Sequence, residues 1–171
     1  MLEWDETTLR LFLAAVFGAA IGLERERKDW TAGMRTHMLV SVGSCLMMLV
    51  SSFGFFDTIH LDKVTLDPSR VAAQIISGIG FIGAGTIMFL KPKTVLGLTT
   101  AAGLWTVAGI GMATGGGMYY AASATTVLAL IILWGLQPLQ KKFADKFQQK
   151  SLVITAKGNT NPKEIMDRLL K

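Results

Sequence analysis

The stretch Asp67-Pro-Ser-Arg70-Val-Ala-Ala-Gln74-Ile-Ile-Ser77-Gly78-Ile-Gly80-Phe-Ile-Gly83-Ala-Gly85-Thr86-Ile-Met-Phe-Leu90 decides how the chain is read. From residue 71 it is long and apolar enough for a helix to cross a bilayer. It nonetheless carries Arg70, Gln74, Ser77, Gly78, Gly80, Gly83 and Gly85. Polar side chains in hydrocarbon are costly and face protein or water, while closely spaced small residues let helix backbones approach. A plain anchor needs neither. Asp67-Pro68 supplies the helix start, Asp as N-cap and Pro at the first helical position. Arg70, Gln74, Ser77 and Phe81 then recur every three or four residues and share a face. The protein's function is expected to centre on this helix.

Further apolar runs at about 7–23, 37–56, 95–113 and 118–136 bring the expected count to five membrane-spanning helices. A composition of 51% hydrophobic residues with 18 glycines and a mean hydropathy of +0.45 is that of a membrane protein rather than a soluble domain. The net charge of +5 comes from basic residues beside the apolar runs, which argues for membrane orientation and against nucleic-acid binding. Arg25, Arg27, Lys28 and Arg35 lie between the first two runs, Lys91 and Lys93 between the third and fourth, and Lys141, Lys142, Lys146 and Lys150 after the fifth. These regions are expected in the cytoplasm and the N-terminus outside. The acidic opening Met1-Leu-Glu3-Trp4-Asp5-Glu6 is not that of a signal peptide, so the first run is expected to be retained. Cys45 sits in an apolar run and reads as a small core residue.

Gly18-Ala-Ala-Ile-Gly22 has the spacing of a helix-packing groove, against another span or a second subunit. The segment from Glu24 to His37 mixes both charges. It reads either as a solvated loop whose arginines reach lipid phosphates or as a pairing network, with Glu24 and Lys28 at i,i+4. His37 is expected to be an interfacial hydrogen-bonder at the entry to the second span. The loop with Asp57, His60, Asp62 and Asp67 could hold a divalent cation loosely, but its spacing better suits a polar turn. The fourth run carries Thr99, Thr100, Gly103, Trp105, Gly109 and Gly111, and is expected to pack closely on the third across a tight Lys91-Pro92-Lys93 turn. The fifth run is plainer.

Three domains follow: a five-span bundle over 1–137, a basic amphipathic juxtamembrane linker over 138–150, and the first strand and helix of a small cytoplasmic α+β domain over 151–171. One strand and one helix cannot close a core, so that domain is expected to continue beyond residue 171.

Gly22-Leu-Glu24-Arg25-Glu26, Arg35-Thr36-His37, the Arg70-to-Thr86 segment and Gly97-Leu-Thr99-Thr100-Ala-Ala-Gly103-Leu-Trp105 together resemble the MgtC/SapB family of bacterial inner-membrane proteins, over about residues 7 to 137. The resemblance implies five spans, a periplasmic N-terminus and a cytoplasmic C-terminus. It also implies a link to growth at low magnesium and to virulence in pathogens. The implied role is in modulating other membrane machines, such as the ATP synthase or magnesium pumps. Some members carry an ACT-like cytoplasmic domain, which Ser151 onward resembles.

The sequence has neither a nucleotide-binding fingerprint nor a recognisable nucleophile–base constellation, so a non-enzymatic regulator acting through helix contacts is expected, with no cofactor assigned and magnesium left open as a bound ion. Membrane lipids, other membrane proteins and a second copy of the chain are the expected partners. The alternative is a small magnesium or cation transporter with glycine-rich broken helices. Against it, no acidic residue falls in the interior of an expected span.

Overall fold

The computed structural model describes residues 2–26, 32–59, 65, 67, 69–91, 94–136 and 138. The chain divides into two compact units, Met1–Gln137 and Pro138–Lys171. Apart from Pro138, the second unit lies outside the described residues, and with it the expected linker, strand and helix.

α1 (Trp4–Glu26) begins before the expected apolar run and so takes Asp5 and Glu6 into the helix ahead of Arg10. Asp5 and Glu6 in its first turn and Arg25 in its last complement the helix dipole. α2 (Met34–Phe53) starts after Gly33, with a capping carboxylate supplied by the end of α1: the Met34 N–H donates to Glu26 Oε2 at 2.8 Å. α2 closes at Gly54, whose N–H reaches the Val50 carbonyl at 2.9 Å. The short α3 (Phe56–Ile59) follows.

α4 (Ser69–Thr86) is the helix predicted to start at Asp67-Pro68, and it stops earlier than expected. The expected span ran on to Leu90; instead β1 (Met88–Lys91) pairs antiparallel with β2 (Thr94–Leu96), Met88 opposite Leu96. A two-stranded ribbon therefore stands where a tight inter-helix turn was expected. The ribbon closes at Gly97, whose φ of 90° belongs to glycine and where a Cβ would collide with the Thr86 carbonyl oxygen. α5 (Leu98–Gly115) begins there. α6 (Tyr119–Leu130) follows the Gly116-Gly117 turn and continues into a π-helical turn, Ile131–Gly135.

The helix at the centre is α5, not α4. Thr100, Gly103, Leu104, Val107, Ala108, Ile110, Gly111, Thr114 and Gly115 are all buried in α5, whereas α4 buries only Ala72, Ile79 and Gly83. Close approaches fix the directions. Gly103 faces His37, Gly111 faces Ser41 and Ser44, and Gly115 faces Cys45 and Met48, so α5 runs parallel to α2. Gly22 faces Met34 and Gly18 faces Met38 and Ser41, so α1 runs antiparallel to α2. Ile21, Val107, Ile110 and Ala122 form one apolar cluster; Ile79, Leu104 and Ala108 form another. Among the described residues, two helical segments, Trp4–Glu26 and Met34–Thr58, are long and apolar enough to cross a membrane.

Candidate functional site

Three groups of polar residues stand out among the described residues: the outer face of α4, the seam between α1, α2 and α5, and a clamp at the N-terminal end of α1.

Asp67 starts α4 by accepting hydrogen bonds at Oδ1 from the Ser69 hydroxyl (2.7 Å) and the Ser69 backbone N–H (2.9 Å). Those bonds, the hydroxyl's first, hold its carboxyl below the usual carboxylate range. Arg70 meets Asp67 through the backbone, its N–H 3.2 Å from the Asp67 carbonyl oxygen. No side-chain ion pair joins the two among the described residues. Arg70, Gln74 and Ser77 are exposed along one side of α4, and Phe81 is 85% exposed beside them.

The glycines correct the expectation that they pack this helix within the chain. A Cβ at Gly78, Gly80 or Gly85 would meet nothing within 4 Å, and the same holds for Gly109. Gly83 alone of the α4 glycines touches a neighbour, at ordinary contact distance from Ala101 (3.4 Å). The tight packing belongs elsewhere. A Cβ on Gly18 would lie 2.8 Å from the His37 carbonyl oxygen, one on Gly22 would lie 2.5 Å from the Met34 Cα, and one on Gly111 would strike the Ser41 carbonyl oxygen. The reason is that α4 stands at the margin of the bundle, with an apolar groove of about 440 Å³ between it and α2, lined by Val40, Gly43, Met47, Ile75 and Ile79.

The seam holds the rim residues. Arg25, expected in one reading to reach out to lipid phosphates, is only 3% exposed, with Nε 3.5 Å from Glu24 Oε2. Lys28, the expected partner of Glu24, lies outside the described residues. His37 is likewise not interfacial: it is fully buried, with Nδ1 2.8 Å from the Gly33 carbonyl oxygen. Gly103 of α5 faces that ring, and a Cβ there would stand at ordinary contact distance, 3.6 Å, from His37 Nε2. Thr100 is buried near the start of α5; Thr99, Trp105 and Arg35 are exposed. Thr99, Gly103, Thr106, Thr125 and Ile21 line a cavity of about 340 Å³ between α1, α5 and α6. Of the loop expected as a polar turn, His60 and Asp62 lie outside the described residues, and no group of three or more His, Cys, Asp or Glu converges on a metal position among the described ones.

The clamp was not among the expected sites. Arg10 Nε donates to Glu6 Oε1 at 2.8 Å and to the Tyr119 hydroxyl at 3.2 Å, and its Nη1 donates to the Gly115 carbonyl at 2.8 Å. The Tyr119 hydroxyl also donates to Glu6 Oε1. The guanidinium stands 5.8 Å from the Phe53 ring centroid and 6.0 Å from that of Tyr119. One cation thus ties α1 to α2 and to the α5–α6 turn. Its signal was present: Arg10 is the sole charge in the 7–23 run and stands four residues after Glu6.

The long apolar helices, close glycine contacts and buried polar groups define a mostly helical membrane protein. The family model of the MgtC family matches residues 11–142. The chain belongs to the MgtC family. It is 44% identical over 155 residues to YhiD of Escherichia coli (strain K12), whose name proposes it as a magnesium transporter; the match covers 91% of this chain and 71% of that protein. Protein SapB of Bacillus subtilis (strain 168) is 37% identical over 175 residues, covering 100% of this chain and 75% of SapB. Protein MgtC of Salmonella typhimurium (strain LT2) is 43% identical over 122 residues, covering 71% of this chain and 48% of MgtC. No solved structure matches the chain.

Proposed function

We propose that this protein is a non-enzymatic regulator in the bacterial inner membrane that docks on other membrane proteins through the outer face of α4 and serves growth at low magnesium. The observation that carries this reading is that face itself: Gln74, Ser77, Gly78, Gly80 and Gly85 are exposed, and a Cβ at any of the three glycines meets open space. In a five-span bundle with α4 among the spans, such a face would meet hydrocarbon. Amide and hydroxyl groups gain little there, whereas a partner helix can approach the glycines closely and pair with the polar groups. Other membrane proteins, such as an ATP synthase or cation pumps, are the proposed partners, with a second copy of the chain able to use the same chemistry. Virulence in a pathogen would follow from the same low-magnesium role.

The second reading, a magnesium transporter, draws on the name of YhiD. It lacks the usual carriers of cation coupling, because α4 and α5 contain no Asp or Glu. One experiment separates them. Purified protein in liposomes is expected to show no magnesium flux, while Gly78→Leu is expected to abolish support of low-magnesium growth with the thermal midpoint unchanged. Saturable flux from the pure protein would establish the transporter instead, and full growth of the Gly78→Leu strain would remove the α4 face from the mechanism.

A further inference from the structure

The seam between α1, α2 and α5 contains polar atoms that the fold buries and does not pair. His37, Ser41 and Thr100 are each fully buried, and His37 Nε2, Ser41 Oγ and Thr100 Oγ1 have no hydrogen-bond partner among the described residues. The neutral imidazole has one tautomer consistent with its contact to Gly33. The Gly33 carbonyl can only accept, so the Nδ1 atom 2.8 Å from it carries the ring proton. Nε2 is therefore a bare lone pair needing a donor. It points toward Gly103, where the absence of a side chain keeps space open, and Thr100 lies one turn earlier on the same side of α5. Ser41 lies one turn after His37 on α2 and is enclosed by Gly18 and Gly111. The Thr114 and Thr126 hydroxyls, equally buried, donate to the carbonyls of Ile110 and Ala122 at 2.8 Å. The unpaired hydroxyls at 41 and 100 are thus a feature of this seam and not of buried hydroxyls in general.

We infer that this seam is an internal hydration site at Gly103, in which bound water donates to His37 Nε2 and satisfies the Thr100 hydroxyl. Water has the needed chemistry, being both donor and acceptor and small enough for a gap left by glycine. The site gives the helical bundle a buried, water-linked proton acceptor that the count of acidic residues does not reveal. It is independent of the docking role of α4.

The test is magic-angle-spinning nitrogen NMR of full-length protein in lipid bilayers, labelled at histidine. The chain has 2 histidines, so His60→Gln leaves His37 as the only signal. The expected spectrum shows protonated Nδ1, unprotonated Nε2 shifted from the bare lone-pair position by an accepted hydrogen bond, and magnetisation transfer from water protons to Nε2. That transfer is expected to survive in Thr100→Val. A proton on Nε2, or no transfer from water in the wild-type background, overturns the inference. So does a hydrogen bond to Nε2 that disappears in a folded Thr100→Val protein, because the threonine hydroxyl would then be the donor. Should Thr100→Val not fold, the spectrum of the parent protein decides alone.

Discussion

Glycines that look alike in the sequence have opposite duties. Gly111 stands where α5 crosses α2, and any side chain there would strike the Ser41 backbone. Gly111→Leu is accordingly expected to destabilise the protein by at least about 1–3 kcal/mol, the range for overpacking a tight site, and to lower the thermal midpoint in detergent. Gly78 faces open space, so Gly78→Leu is expected to change stability by no more than about 0.5 kcal/mol. Equal losses in the two variants would refute the placement of α4 at the margin. Arg10 allows a third comparison. Removing its charge-assisted bonds to Glu6 and the Gly115 carbonyl by Arg10→Ala is expected to cost about 1.5–3 kcal/mol. Arg10→Lys should recover only part of that, because an ammonium cannot serve three acceptors with the geometry of the guanidinium fork. Thermal unfolding of both variants checks this; full rescue by lysine would mean that charge alone matters.

α4 depends on its first turn more than the buried helices do, because little of it is packed. Asp67 anchors that turn through Ser69, and the same bonds lower its pKa in the folded protein. The sign follows from linkage: a carboxyl whose folded pKa is depressed contributes stability at pH values above its unfolded pKa, and loses it as pH falls through the folded value. Hydrogen exchange at the first amides of α4 is therefore expected to speed up, relative to the rest of the chain, as pH drops through the acid range. In Asp67→Asn that pH dependence should vanish. Amides at the start of α4 that respond equally in both proteins would assign the effect to another group.

At the scale of the whole molecule, the bundle is built on the α1–α2–α5 core, with α5 parallel to α2 and antiparallel to α1. The proposed five-span topology can be tested from these directions. Cys45 is buried and is the only cysteine, so Cys45→Ala gives a clean background. A cysteine at Gly116, in the α5–α6 turn, is expected to react with an impermeant maleimide from outside intact cells. A cysteine at Lys91, in the ribbon between α4 and α5, should react only after the membrane is opened. Labelling of both from outside would overturn the topology. Much of the helical layout could be read from the apolar runs, since roughly 20 apolar residues in a row have few alternatives to a helix. The ends of α4 and α5 could not, because Met88–Lys91 is as apolar at its start as the helix before it, and only the steric demand at Gly97 shows where the chain turns back.

By itself, the sequence determined that this is a helical membrane protein of the MgtC family, and which residues share a face of α4. Length, hydropathy, charge placement and local motifs are properties of contiguous residues, so one chain suffices to read them. Which faces meet was decided by the tertiary structure alone. Gly78-Ile-Gly80 and Gly109-Ile-Gly111 have the same local pattern, yet of these four glycines only Gly111 lies at a contact too close for a side chain. His37 and Arg25 looked interfacial by position and are buried by the helices that close over them. A close approach is a relation between two distant segments, and a one-dimensional pattern carries the capacity for it without its partner.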